Sequence, residues 1–220
     1  QLISPNDIYV SDTKITATAG AGATGYYGGQ RGGGGELTVQ STRNVYIDPG
    51  TVLTCSGSES RLIVRGDVLY LNGAQFLSYG KSGSNGYVTF DAQEINASAN
   101  TLYAEGGAGL SGSIHGGTIY AFPSGGGNGK IALTGKIVNL ATSGLTTQGG
   151  AGGYMPSNPY GVAPGSPGSG DVAIKSTLNS APSLFSNTIT SPVIDIQPAS
   201  INGAGASTVD VARRSLEDFQ

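Results

Sequence analysis

Few residues in this chain could do chemistry, and their spacing does not bring them together. His115 is the single histidine and Cys55 the single cysteine. A thiol nucleophile needs a base and an orienting group beside it, and nothing near "TVLTC" nominates either, so Cys55 reads as a small buried hydrophobe. His115 stands in the glycine-rich run "SIHGG", the setting of a solvated side chain rather than of a held base. The acidic residues Asp48, Asp67, Asp91, Glu94, Glu105 and Asp171 are dispersed, whereas a calcium site needs several oxygen ligands converging on one point. Asp91 and Glu94 are the nearest useful pair, and a turn is expected between them. The expectation is therefore a non-enzyme with no catalytic residue, no metal site and no cofactor. Asn96-Ala97-Ser98 is a glycosylation sequon and makes Asn96 the candidate modification site.

Composition points the same way. Of 220 residues, 38 are glycine and only 11% are charged. Disorder of the usual kind requires more charge and fewer β-branched residues. The glycines come in clusters and not at every third position, which argues against collagen. Tryptophan is absent while Val, Ile, Thr and Tyr are frequent, which favours strands. A net charge of -3 gives no basic footprint for nucleic acid. No apolar run is long enough for a transmembrane helix. Gln1 is an expected first residue after signal cleavage, which suggests a secreted product, and the lone cysteine permits no internal disulfide.

The elements that must position these residues repeat. "LTVQST", "LIVRG", "VTFDA" and "KIALTG" are alternating segments, and Leu37, Leu62 and Val88 are spaced by 25 and 26 residues. Fourteen residues after Leu62, Val88 and Ile131 come Phe76, Leu102 and Leu145, each opening another alternation. Between them lie "NVYID", "DVLYLNG", "QEINAS" and "KIVNLAT", read as a middle strand. The unit is strand, turn, strand, turn, strand, glycine corner, and self-similarity of this kind signals stacked repeats. Sparse Asn-Gly signals argue against an antiparallel sandwich. The expected fold is all-β: a parallel β-helix with three short strands per coil of about 25 residues, spanning residues 13–177. Residues 1–12 and 178–220 are expected as arms outside it. The corner glycines are expected to serve positive φ. Aligning the repeats yields outward columns, one reading Glu36, Arg61, Tyr87, Lys130, Asp171 and another Gln40, Arg65, Asp91, Thr134, Lys175. The column Thr38, Ile63, Thr89, Ala132, Ala173 is too mixed for a flat ice-binding threonine array. The surplus between Val88 and Ile131 could hold a partial coil using Thr118 to Phe122.

Through "GYVTFDA", "GKIALTG" and the "GGAGG" corners, over roughly Ile15 to Thr177, the chain resembles glycine-rich parallel β-helix proteins of microbial surfaces, including adhesin and passenger domains. The resemblance implies right-handed coiling and a secreted, cell-surface setting. Enzymes of the pectate-lyase type share this architecture, but they would need the converging acidic cluster that is missing here.

A stack of coils has two open ends, whose unpaired backbone must be capped or will join another chain. "QLISPNDIYVSD" and "SLFSNTITSPVIDIQPASI" are apolar segments, and "STVDVARRSLEDF" offers an N-cap with Val209, Ala212, Leu216 and Phe219 on one helical face. Arg213-Arg214 is either a processing site or plain helix surface. The expected function is an extracellular structural subunit of a filament or surface layer, whose arms complete a neighbour's sheet edge. Leu2, Ile3, Ile8, Tyr9, Leu184, Phe185, Val193, Ile194, Ile196, Leu216 and Phe219 are the candidate interface residues. Tyrosines on glycine loops (Tyr26, Tyr27, Tyr154, Tyr160) could cover such joints. The competing expectation is a monomeric carbohydrate-binding or adhesive domain acting on cell-surface glycans. The partners are therefore the chain itself or glycans, with no nucleic acid and no membrane span.

Overall fold

Alternation of apolar and polar residues puts one face of each segment in a core, and the computed structural model shows how the segments share it. The structure describes residues 1–19, 24–25, 28–29, 33–115, 118–156, 160–178, 182–197 and 209–211. Among these the chain is all-β, with no helix, and its two large sheets are built almost wholly from parallel strands. An 11-stranded sheet carries two columns of strands and a 7-stranded sheet carries the third.

The columns are visited in the same order on every pass. Leu2–Ser4, Ile8–Val10 and Lys14–Thr18 make the first pass, and Glu36–Ser41, Val45–Ile47 and Val52–Gly57 the second. Ser60–Asn72 and Gly86–Ser98 are long strands that serve the first column with one half and the second column with the other. Gln75–Gly80 and Thr101–Glu105 complete those passes in the third column. Gly129–Gly135, Ile137–Ala141 and Gly144–Gln148 follow, then Gly170–Ser176, Ser183–Phe185 and Asn187–Thr190. Val193–Gln197 returns to the first column. Asp91 and Glu94 lie on one strand, in the stretch where it passes from the first column to the second.

Register follows the alternation. Glu36, Arg61, Tyr87, Lys130 and Asp171 are aligned neighbours, as are Phe76, Leu102 and Leu145. A one-residue slip would turn every core side chain outward, so the pattern fixes the pairing. Val39, Val64, Phe90, Leu133 and Ile174 form one inward row, and Leu53, Phe76, Leu102, Leu145 and Ile189 another, all buried. Phe76 meets Phe90 edge to face at 4.8 Å. Each fully buried large side chain contributes about 1.5–3 kcal/mol.

Two expectations about the ends are corrected. Leu2–Ser4, Ile8–Val10 and Lys14–Thr18 pair in register with the second pass, so the 1–12 segment belongs to the sheets. Ser183–Phe185, Asn187–Thr190 and Val193–Gln197 likewise continue all three columns. Short strands and the prolines around them hide this continuity in the sequence. Val209–Val211 is a strand, antiparallel to Asn187–Thr190, where a helix was expected to begin; the rest of that helix lies outside the described residues. The expected partial coil is instead an antiparallel hairpin of Ser113–His115 with Thr118–Ala121.

The glycine corners have a different architecture. The amides of Gly106, Gly109 and Gly112 donate to the carbonyls of Gln148, Ala151 and Tyr154 at 2.7–2.9 Å. Ser124 and Gly127 donate to Leu110 and Gly107, Gly150 and Gly153 to Gly127 and Ser124, and Gly165 and Gly168 to Gly153 and Gly150. Every one of these series advances by three residues, the repeat of a polyproline II helix, and not by the two of a strand. These segments therefore bundle side by side through hydrogen bonds from one segment to the next. The expected role of positive φ holds for Gly57 and Gly83 in the shorter corners, but none of the bundle glycines named above has positive φ. Glycine is required here for close approach, since a Cβ on Gly106, Gly127 or Gly150 would fall on the backbone of Gly127, Ser84 or Gly107 respectively.

Candidate assembly edge and surface groove

At the N-terminal end all three columns finish on strands paired on one side only among the described residues. This edge carries exposed apolar side chains: Ile3 is 63% exposed, Tyr9 70% and Leu2 39%. Leu2 stands at the end of the inward row through Val39, so its exposure opens the core to that end. Ile8 is half-buried against the core cluster. Parallel strands with a free side and apolar side chains form a template for further strands unless charge or covering structure blunts them.

The opposite end is partly closed. Val209–Val211 covers the outer edge of Asn187–Thr190 with reversed polarity. The candidate interface residues divide there. Phe185 and Val193 are exposed, at 47% and 46%. Leu184, Ile194 and Ile196 are buried in this chain's own core, which leaves them no surface for a partner. Leu216 and Phe219 lie outside the described residues, as do Tyr26 and Tyr27, while Tyr154 and Tyr160 are exposed on loops.

On the second column the outward residues are Tyr9, Tyr46, Tyr70, Asn96, Asn139 and Ser183 in aligned succession. The first three rings stack face to face, at 4.6 Å between Tyr9 and Tyr46 and 4.9 Å between Tyr46 and Tyr70. Past Tyr70 the column becomes amide: Asn139 Nδ2 donates to Asn96 Oδ1 at 2.8 Å, and Asn96 Nδ2 to Glu94 Oε1 at 2.8 Å. A groove of about 310 Å³ opens over these amides, lined among others by Asp48, Tyr70, Ser98 and Phe185. Asn96, the sequon residue, is half-buried in its floor. Sequence reading missed the groove because its walls come from residues far apart in the chain; the run Tyr46, Tyr70, Asn96, Asn139 in the middle strands was the available signal.

The remaining reactive groups sit apart. Cys55 is buried, its thiol donates to Ser78 Oγ at 3.3 Å, and burial pushes its pKa up. Ser78 Oγ is within 2.8 Å of Ser60 Oγ and accepts from the Tyr87 amide. His115 is exposed on the hairpin. Among the described residues no group of three or more His, Cys, Asp or Glu side chains could hold a metal, and no helix is long and apolar enough to cross a membrane. Along the outward columns Arg65 meets Asp91 at 3.7 Å and Lys130 meets Asp171 at 2.9 Å, whereas Arg61 turns to Glu59 at 3.2 Å. Glu36, aligned with Arg61, accepts from Thr38 and Gln1 instead. Comparison with family models, curated proteins and solved structures yields no match for this chain.

Proposed function

We propose that the three strand columns wind as a parallel β-solenoid, right-handed as the resemblance implies, and that the protein is an extracellular structural subunit that self-associates through its N-terminal edge. The observation that carries this reading is the N-terminal row of three strands, each paired on one side only among the described residues, with Leu2, Ile3 and Tyr9 exposed. Completing a neighbour's sheet through main-chain hydrogen bonds needs no chemistry beyond what the edge offers. A head-to-tail contact of this kind does not close on itself and propagates as a filament. The extracellular setting rests on the resemblance to microbial surface proteins. The scaffold role, with no catalysis, accords with the scattered placement of Cys55, His115 and the carboxylates.

Negative-stain electron microscopy of the full chain tests it, beside a Leu2→Lys/Ile3→Lys variant whose charges blunt the edge. Uniform fibres from the parent and separate particles from the variant are the expected pair. A parent that stays monodisperse at all concentrations overturns the proposal.

A further inference from the structure

The groove on the second column goes beyond assembly, because a subunit needs no recessed amide floor between aromatic walls. We infer that it binds a neutral oligosaccharide. Its walls are Tyr70, whose far face is taken by Tyr46, and Phe185. The two stand on strands separated by the strands of Asn96 and Asn139. Three strand spacings put the walls ~14 Å apart, the length of a short saccharide segment. The volume of about 310 Å³ lies at the small end of ligand sites, at roughly 300 Å³.

The chemistry of the lining selects the ligand. Tyr70 and Phe185 are 42% and 47% exposed and offer ring surface to the apolar C–H faces of a sugar. The amide chain is directional: the Nδ2 groups of Asn139 and Asn96 both point toward Glu94, which leaves Asn139 Oδ1 as an acceptor for a sugar hydroxyl. Because Asn96 is held at both its oxygen and its nitrogen, the floor is fixed before a ligand arrives, and little side-chain ordering remains to oppose binding. Asp48 is the charged residue in the lining, with no lysine or arginine there. An anionic sugar or a nucleotide would meet a carboxylate with no cation to offset it, so the groove favours uncharged saccharides over bases that could also stack on the rings. This inference does not rest on assembly, since no groove residue belongs to the N-terminal edge.

The test is saturation-transfer NMR on the full chain with cellobiose, maltose, mannobiose and chitobiose, and with digalacturonate and AMP as charged probes. At least one neutral disaccharide is expected to bind through its C–H faces. Asn139→Ala and Phe185→Ala should each weaken it by about fivefold or more. Phe122→Ala, an exposed ring outside both the groove and the N-terminal edge, should leave binding unchanged, and the thermal transition of each variant shows that it is folded. Three results would overturn the inference: folded protein that binds none of the neutral disaccharides, tighter binding of a charged probe, or binding indifferent to both groove variants. Mass spectrometry provides a further arm. Protein recovered with a glycan linked to Asn96 would have its groove filled by its own modification, which also overturns a site for a free ligand.

Discussion

The strand columns and the glycine bundle use the same backbone donors and acceptors, yet they solve the packing problem in opposite ways. In the columns, neighbouring chains are parallel, every second side chain enters the core, and burial of residues such as Phe90 and Leu133 stabilises the pairing. In the bundle, Gly106, Gly127, Gly150 and Gly168 lie in segments that touch backbone to backbone, with hydrogen bonds at every third residue and no side chain between them. The columns tolerate substitution on their outward face and resist it inside. The bundle has no spare face at its glycines. Glycine, normally a cost in ordered structure, becomes the residue that permits the contact.

The sharpest way to break the comparison is Gly127→Ala. Its Cβ would meet the Ser84 carbonyl, a backbone atom that cannot swing aside. The bundle should open, with a loss of more than ~4 kcal/mol, seen by hydrogen exchange as lost protection of the Gly107, Gly127 and Gly150 amides while the columns stay protected. Phe90→Ala tests the other region and should cost about 3–5 kcal/mol by denaturant titration, because the cavity lies in the middle of an inward row.

Asn187→Ala should cost a comparable amount, about 1–3 kcal/mol for each of its two orphaned partners. The buried Asn187 side chain accepts from the Ser143 amide at 2.9 Å and donates to the Leu140 carbonyl at 2.8 Å. Asn100 makes the equivalent pair with Ala74 and Leu71, so these asparagines bridge successive passes at the same turn. The third column also supplies a pH effect. Burial, and then the Glu105 carboxylate that accepts its hydroxyl, push the Tyr103 pKa up to about 12. The group's folded pKa exceeds the ordinary tyrosine value of 10.0, so its contribution to stability is complete below that value and is lost as pH rises toward about 12. Alkaline denaturation should be shallower over that window in Tyr103→Phe. The smallest effect is Gly144→Ala, where a Cβ meets open space; this strand glycine should gain about 0.4–1 kcal/mol.

How much of this the sequence disclosed follows from the same contrast. A period of two within each segment and recurrence between segments expose the columns, because Leu37, Leu62 and Val88 repeat both residue type and spacing. The first and last passes escape notice: Leu2–Ser4 and Ile8–Val10 are short and separated by Pro5, and Pro192 interrupts the other end. The threefold order of the bundle is present in Gly106, Gly109 and Gly112 and in Gly165 and Gly168. It is too brief in any one segment to stand out, because the order belongs to contacts among segments. The groove is hidden for a similar reason, since Tyr70 and Phe185 are brought to opposite walls only by the column register.

The stack of Tyr9, Tyr46 and Tyr70 also gives the molecule a built-in optical gauge. With no tryptophan among its residues, near-ultraviolet absorption is left chiefly to tyrosine, and three rings in parallel contact couple their transitions. Tyr9 belongs to the first pass, Tyr46 to the second and Tyr70 to the third. The circular dichroism of that coupled set therefore follows the docking of the N-terminal strands, and it would register fraying or occupation of that end without any added label.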